Sequence, residues 1–151
     1  MNKIRVYLDN CCFNRPYDNQ DKLSIKLETI AKIRIQEMIK KGDIDLIWSF
    51  MLDYENSGNT WETKRNSIYE WFNNSIMHVS MSEEIIQSSE FIHEPGFGEK
   101  DSIHLSCAIT GRSDYFITVD RGILNRKNKV PELIIIDPVD FIRITEEKNE
   151  K

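Results

Sequence analysis

Short apolar runs alternate along this chain with longer stretches in which apolar residues recur every three to four positions. Four runs read as buried strands: IRVYL from Ile4, IDLIW from Ile44, DYFITV from Asp114 and ELIII from Glu132. Each is rich in β-branched and aromatic residues and ends at a turn or charge signal. MHVS at Met77 offers a fifth. Between them lie helical patterns. Lys22 to Lys41 carries Leu23, Leu27, Ile30, Ala31, Ile35, Met38 and Ile39 at close to a 3.6-residue period, and Gly42 supplies a stop. Further helices are expected over Ser49–Asn56 (Ser49 as N-cap), Thr60–Asn73, Ser82–Ile92 and Lys100–Thr110, with Gly111 closing the last. Pro138 opens a final one. Strands alternating with helices predict an α/β fold with a mainly parallel sheet of four to five strands and right-handed crossovers.

At 151 residues the chain suits one core, and 40% apolar with 30% charged residues is ordinary for a globular protein. A single domain over 1–144 is expected, followed by a charged tail, 145–151, that frays. No apolar run approaches the roughly 20 residues of a membrane span. MNKIRVYLDN meets a charge at once, unlike a signal peptide, so a cytoplasmic protein without a membrane partner is expected. Three cysteines, two adjacent (Cys11, Cys12), make a poor disulfide framework and read as reduced, packed thiols. The three histidines form no HxxxH pair and there is no CxxC, which argues against a zinc site. A net charge of −5 argues against nucleic-acid binding by bulk charge, though not against a nuclease. Basic residues do gather: Arg121, Arg126, Lys127 and Lys129 follow Asp120, and Arg15 follows Asp9. A solvated surface is the plain alternative for them.

The chemistry lies in four acids. Asp9 ends the run VYLD and Asp120 ends DYFITVD, which places both at carboxyl ends of strands, where open α/β sheets bind ligands. Glu55 follows Met51 and Leu52 at i+4 and i+3, and Asp101 shares a helix face with Leu105 and Ala108, so both carboxylates sit on inward faces. Asp53 points away from that face. Taken singly, Asp9, Asp101 and Asp120 read equally as helix caps or N-terminal charges, and Glu55 as an amphipathic boundary residue. Together they project to one edge of one sheet. Crowded carboxylates repel each other unless something cationic joins them, and hard oxygen ligands suit Mg²⁺ or Mn²⁺. A pair of such ions activates water and clamps a scissile phosphate.

VYLDNCCFN, IWSFMLDYENS, GEKDSIHLSCAI and SDYFITVDRGIL resemble, in order, the four acidic blocks of PIN-domain proteins. The resemblance spans Val6 to Leu124. It implies a PIN-like three-layer α/β/α sandwich and a metal-dependent endoribonuclease, with Asp9, Glu55, Asp101 and Asp120 as the catalytic and metal-holding set and Mg²⁺ or Mn²⁺ as cofactor. It implies RNA as substrate, with Thr118 of the T-x-D motif and Asn10 beside it, and Arg15 and Arg121 as candidate phosphate contacts. Many family members are toxins of toxin–antitoxin modules, so an antitoxin partner and a homodimer are further expectations. A PIN-like module that binds RNA or protein without cleaving is the alternative. A phosphohydrolase with a nucleophilic Asp9 would need a second Asp two positions on, where this chain has Cys11.

The remaining polar residues read as structural. His104 follows Asp101 by three positions and reads as a satisfied histidine on a different part of the helix surface. Asp114 begins a strand and reads as a cap or pairing residue; Asp137, before Pro138, reads as a cap. The stretch around Trp61, Tyr69, Trp71 and Phe72, near Lys64 and Arg65, departs from the family pattern. Its readings are a stacking surface for single-stranded RNA, a protein interface, or core packing of an amphipathic helix.

Overall fold

The structure, a computed structural model, describes residues 3–93 and 96–150. The order of elements is β1 (Arg5–Leu8), α1 (Asn10–Asn14), a 3-10 turn (Arg15–Tyr17), α2 (Leu23–Lys41), β2 (Asp45–Ser49), α3 (Phe50–Ser57), α4 (Glu62–Tyr69), a second 3-10 turn (Glu70–Asn74), β3 (Ser75–Val79), α5 (Glu83–His93), α6 (Glu99–Thr110), β4 (Tyr115–Ile117), α7 (Arg121–Leu124), a third 3-10 turn (Lys127–Lys129), β5 (Ile134–Ile136) and α8 (Pro138–Glu150). All five strands pair in parallel, in the order β3-β2-β1-β4-β5.

Side-chain alternation sorts the sheet's two faces. Tyr7 and Ile47 are register partners, as are Tyr7 and Phe116, so all three share a face. On it Tyr7 stacks on Phe116 at 5.3 Å between ring centroids and meets His104 of α6 edge-on. Trp48 points the other way, edge-on to Phe13 of α1 at 5.4 Å, and Tyr115 meets Phe141 of α8 on that side too. The result is an α/β/α sandwich, α5 and α6 on one face and α1, α2 and α8 on the other. Gly111 permits α6 to close on the sheet: a Cβ there would stand 2.6 Å from Ile47 Cγ2. Gly42 ends α2 in a left-handed conformation, φ 79°, with its N–H on the Met38 and Ile39 carbonyls.

Several boundaries differ from the sequence reading, for physical reasons. The helix expected over Thr60–Asn73 tightens into a 3-10 turn after Tyr69, as Phe72 turns under the sheet to meet Trp48 and His78. The short helices α1 and α7, of five and four residues, are too brief to show a period. α8 carries Thr145, which is buried, onward to Glu150; Lys151 lies outside the described residues. Among the described residues, no helix is long and apolar enough to cross a membrane.

Candidate active site

The chain runs outward from β1 through β2 to β3, then returns to place β4 on the other side of β1. The carboxyl ends of β1 and β4 therefore flank the point where strand order reverses, which is where open parallel sheets leave a crevice. Asp9 follows β1 directly; Asp120 lies three residues beyond β4.

Both strand-end acids cap helices. Asp9 Oδ1 accepts the Asn10 N–H at 2.8 Å. Its Oδ2 accepts the Thr118 hydroxyl at 2.8 Å and lies 3.4 Å from the Cys11 thiol. Asp9 is only 5% exposed, so these donors hold a buried carboxylate in place. Asp120 Oδ1 accepts the N–H groups of Gly122 and Ile123, and Thr118 Oγ1 accepts the Asp120 N–H at 3.1 Å. One threonine thus fastens both acids to each other.

α3 and α6 bring in the next group. Ser49 caps α3 through the Leu52 N–H, which sets the helix so that Glu55 faces α6. There Glu55 Oε1 bonds His104 Nε2, whose other neighbour is Asp9 Oδ1 at 3.9 Å. His104 Nδ1 meets the Tyr7 hydroxyl at 2.6 Å, and that hydroxyl meets Ser49 Oγ at 2.6 Å. Ser49, Tyr7 and His104 are all essentially buried. Burial would lower the histidine's pKa, but the bond to Glu55 and the charges of Asp9, Glu55 and Asp101 raise it overall. Tyr7, pushed up by burial, stays a neutral phenol.

Asp101 stands in the first turn of α6, half-buried, one helical turn before His104. Its carboxyl is pushed up to about 6 by burial first, then by the charges of Asp9 and Asp120 and to a smaller extent Glu55, with His104 acting in the opposite direction. The secondary part of that shift reflects the other acids at the same edge. Among the described residues, none of the four forms an ion pair with Lys or Arg.

The other expected contacts separate into two groups. Thr118 and Asn10 adjoin Asp9, and the Asn10 side-chain oxygen is buried without a hydrogen-bond partner. Arg15 and Arg121 instead converge on the buried Glu28 of α2, at 3.0 and 3.8 Å, and Arg15 also holds Asp18. Asp53 takes the Trp48 indole N–H and pairs with His78, Asp114 accepts the Arg5 N–H, and Asp137 caps α8 at the Asp140 N–H. Cys11 is pushed up by Cys12 and by burial, and Cys107 to about 12 by burial, which leaves both as poor nucleophiles.

His104 is where the sequence reading needs adjustment. It is a satisfied buried histidine as expected, yet it sits inside the acidic group rather than apart from it. Its i+3 spacing from Asp101 carried that signal, because residues three apart on a helix are neighbours. Tyr7 and Ser49 gave no signal beyond their place in buried strands.

The donor set fits a divalent cation. Ligand atoms of Asp9, Glu55 and His104 lie within 4.8 Å of one another, Asp101 is raised by burial and then by its fellow acids, and an amide oxygen beside Asp9 lacks a donor. Bound there, such an ion would supply Lewis acidity and an activated water.

No protein-family model matches the chain, and no curated protein matches it. Among solved structures it is similar to a chain of the crystal structure of VapBC2 from Rickettsia felis bound to a DNA fragment from their promoter. Identity is 14%, the TM-score is 0.55, and the match covers 89% of this chain and 98% of that one. The likeness is one of fold, and with the five-stranded parallel sheet it gives this chain a PIN-like α/β/α architecture.

Proposed function

We propose that this protein is a metal-dependent endoribonuclease of the PIN type. The observation that carries the reading is the gathering of Asp9, Glu55, Asp101 and Asp120 at the reversal of strand order, with no lysine or arginine ion-paired to them among the described residues. In it Asp9, Asp101 and Asp120 hold Mg²⁺ or Mn²⁺, and Glu55 completes the set directly or through water. Thr118 fixes the Asp9 carboxylate and the Asp120 backbone, the Gly122 and Ile123 N–H groups fix the Asp120 carboxylate, and His104 fixes Glu55, so the acids are oriented before substrate arrives. Asn10 and Thr118 stand beside the scissile phosphate, with Arg121, exposed at the head of α7, reaching the next phosphate by leaving its 3.8 Å pairing with Glu28. The similarity to a VapBC2 chain supports a toxin role with an antitoxin partner; a homodimer and a cytoplasmic setting belong to the same reading.

Incubation of the protein and its Asp9→Asn variant with a mixed single-stranded RNA pool, in Mn²⁺, Mg²⁺ or EDTA, tests this. Metal-dependent cleavage by the parent alone is expected. Absence of both cleavage and calorimetric metal binding overturns it and leaves a PIN-like binding module.

A further inference from the structure

The segment after Asp120 carries Arg121, Arg126, Lys127 and Lys129 and no acid, on a chain of net charge −5. The fold lays this segment along the outer side of the sheet. β5 is an edge strand, paired only with β4. Two cavities of about 500 and 380 Å³ lie against it and share Lys127, Asn128, Ile135, Ile136 and Asp140, so they form one trough between the 121–129 segment and α8. Its near end holds Arg121 and Asp137, next to Asp120; its far end holds Arg143 and Ile144.

The charges in the trough are unequally engaged. Asp137 is turned to the Asp140 N–H, and Asp140 is paired with Arg143 at 3.3 Å. Lys127 is exposed and, among the described residues, makes no ion pair. Ile134, 53% exposed, gives an apolar floor. Cations at intervals over an apolar floor, with the asparagine amides 125 and 128 between, are the donors a nucleic-acid backbone and its bases need. From Asp137 to Arg143 α8 advances about 9 Å, the rise of about two or three stacked nucleotides.

We infer that this trough is the track for single-stranded RNA leaving the acidic cluster, with Lys127 taking one phosphate directly and Arg121 and Arg143, both well exposed, exchanging their partners Glu28 and Asp140 for its neighbours. The inference rests on the nuclease reading for the strand's anchor and goes beyond it by giving the strand a direction.

The test is fluorescence anisotropy of a labelled 12-nucleotide RNA against salt, in EDTA, for the parent and for Lys127→Gln, Arg143→Gln and Lys127→Arg. Both glutamine variants change exposed side chains, and unchanged circular dichroism verifies folding. Each lost phosphate contact should lower the slope of log K against log salt by about 0.7, equally for any sequence, and Lys127→Arg should restore it. In Mn²⁺, KM for cleavage of the 12-nucleotide RNA should rise in the glutamine variants while kcat holds. Unchanged affinity and slope in both glutamine variants overturn the track, as does parent protein that binds no RNA, or an acidic peptide that binds in a Lys127-dependent way where RNA does not. Lys127-dependent RNA binding without cleavage would sink the nuclease reading and keep the track; cleavage with unaltered binding in the variants would do the reverse.

Discussion

The two halves of the carboxyl edge are built on opposite plans. Around β1 and α3, Ser49, Tyr7, His104 and Glu55 form one continuous hydrogen-bonded chain, and Asp9, held beside it by Thr118 and the Asn10 N–H, is buried with most of it. Around α6 and α7, Asp101 and Asp120 are partly exposed; Asp120 is held by backbone N–H groups, and Asp101 carries a raised pKa. The first half keeps its charges satisfied within the protein. The second keeps repulsion unrelieved, which a divalent ion would remove. A site made only of the first kind would have little reason to bind metal, and one made only of the second would have poor geometry.

Substitutions should separate the halves. Asp9→Asn is expected to have the largest effect, lowering kcat by about 10³-fold, the equivalent of about 4 kcal/mol of transition-state stabilisation. It should bring no gain in stability, since the parent carboxylate already has the Thr118 hydroxyl and the Asn10 N–H as donors. Full activity in this variant would end the comparison. His104→Ala should be next. It strips Tyr7 and Glu55 of a partner in a site 1% exposed, so urea unfolding should show a loss of about 2–3 kcal/mol. Metal affinity should fall by about 10–100-fold with it. Unchanged metal affinity would place His104 in the fold alone. Thr118→Val is milder: it removes the hydroxyl that ties Asp9 to Asp120, and calorimetry should show about tenfold weaker metal binding.

The difference between the halves also explains what the sequence made legible. The strands at Val6, Leu46 and Phe116 announce themselves through continuous apolar runs, because strands of a parallel sheet are buried on both faces. Asp9 and Asp120 stand out as charges ending such runs. Glu55 and Asp101 are found from helical spacing to apolar neighbours. His104 was harder to place, because a histidine has the same sequence signature whether it packs in a core or holds a carboxylate. Tyr7 looked like one more buried aromatic; only the crossing of β1, β2 and α6 puts its hydroxyl between Ser49 and His104. The aromatic stretch divided in the same way. Phe72 packs, half-buried, against the core at Trp48, while Trp61, 57% exposed, stays on the surface, edge-on to Tyr17. Spacing within the segment cannot distinguish these fates, because Trp61 precedes α4 while the 3-10 turn after Tyr69 carries Phe72 to Trp48 of β2.

The smallest expected effect gives the sharpest contrast, since it has the opposite sign. In metal-free protein the folded-state pKa of Asp101 is about 6, above the roughly 3.9 of an unfolded aspartate. Between those values the folded chain binds more protons than the unfolded one, so stability attributable to this group falls as pH rises from about 4 to about 6 and stays low above it. Asp101→Asn abolishes the penalty. Discounted for a half-exposed side chain, the gain at pH 7.5 in EDTA should be about 1 kcal/mol, or about 2–4 °C in Tm, and it should vanish by about pH 4. Saturating Mn²⁺ should reverse the order, because the parent then gains binding free energy that the variant lacks. Equal Tm values for parent and variant at pH 7.5 in EDTA would mean that the acids of α6 and α7 are as well satisfied as those of β1, and the two halves would then be of one kind.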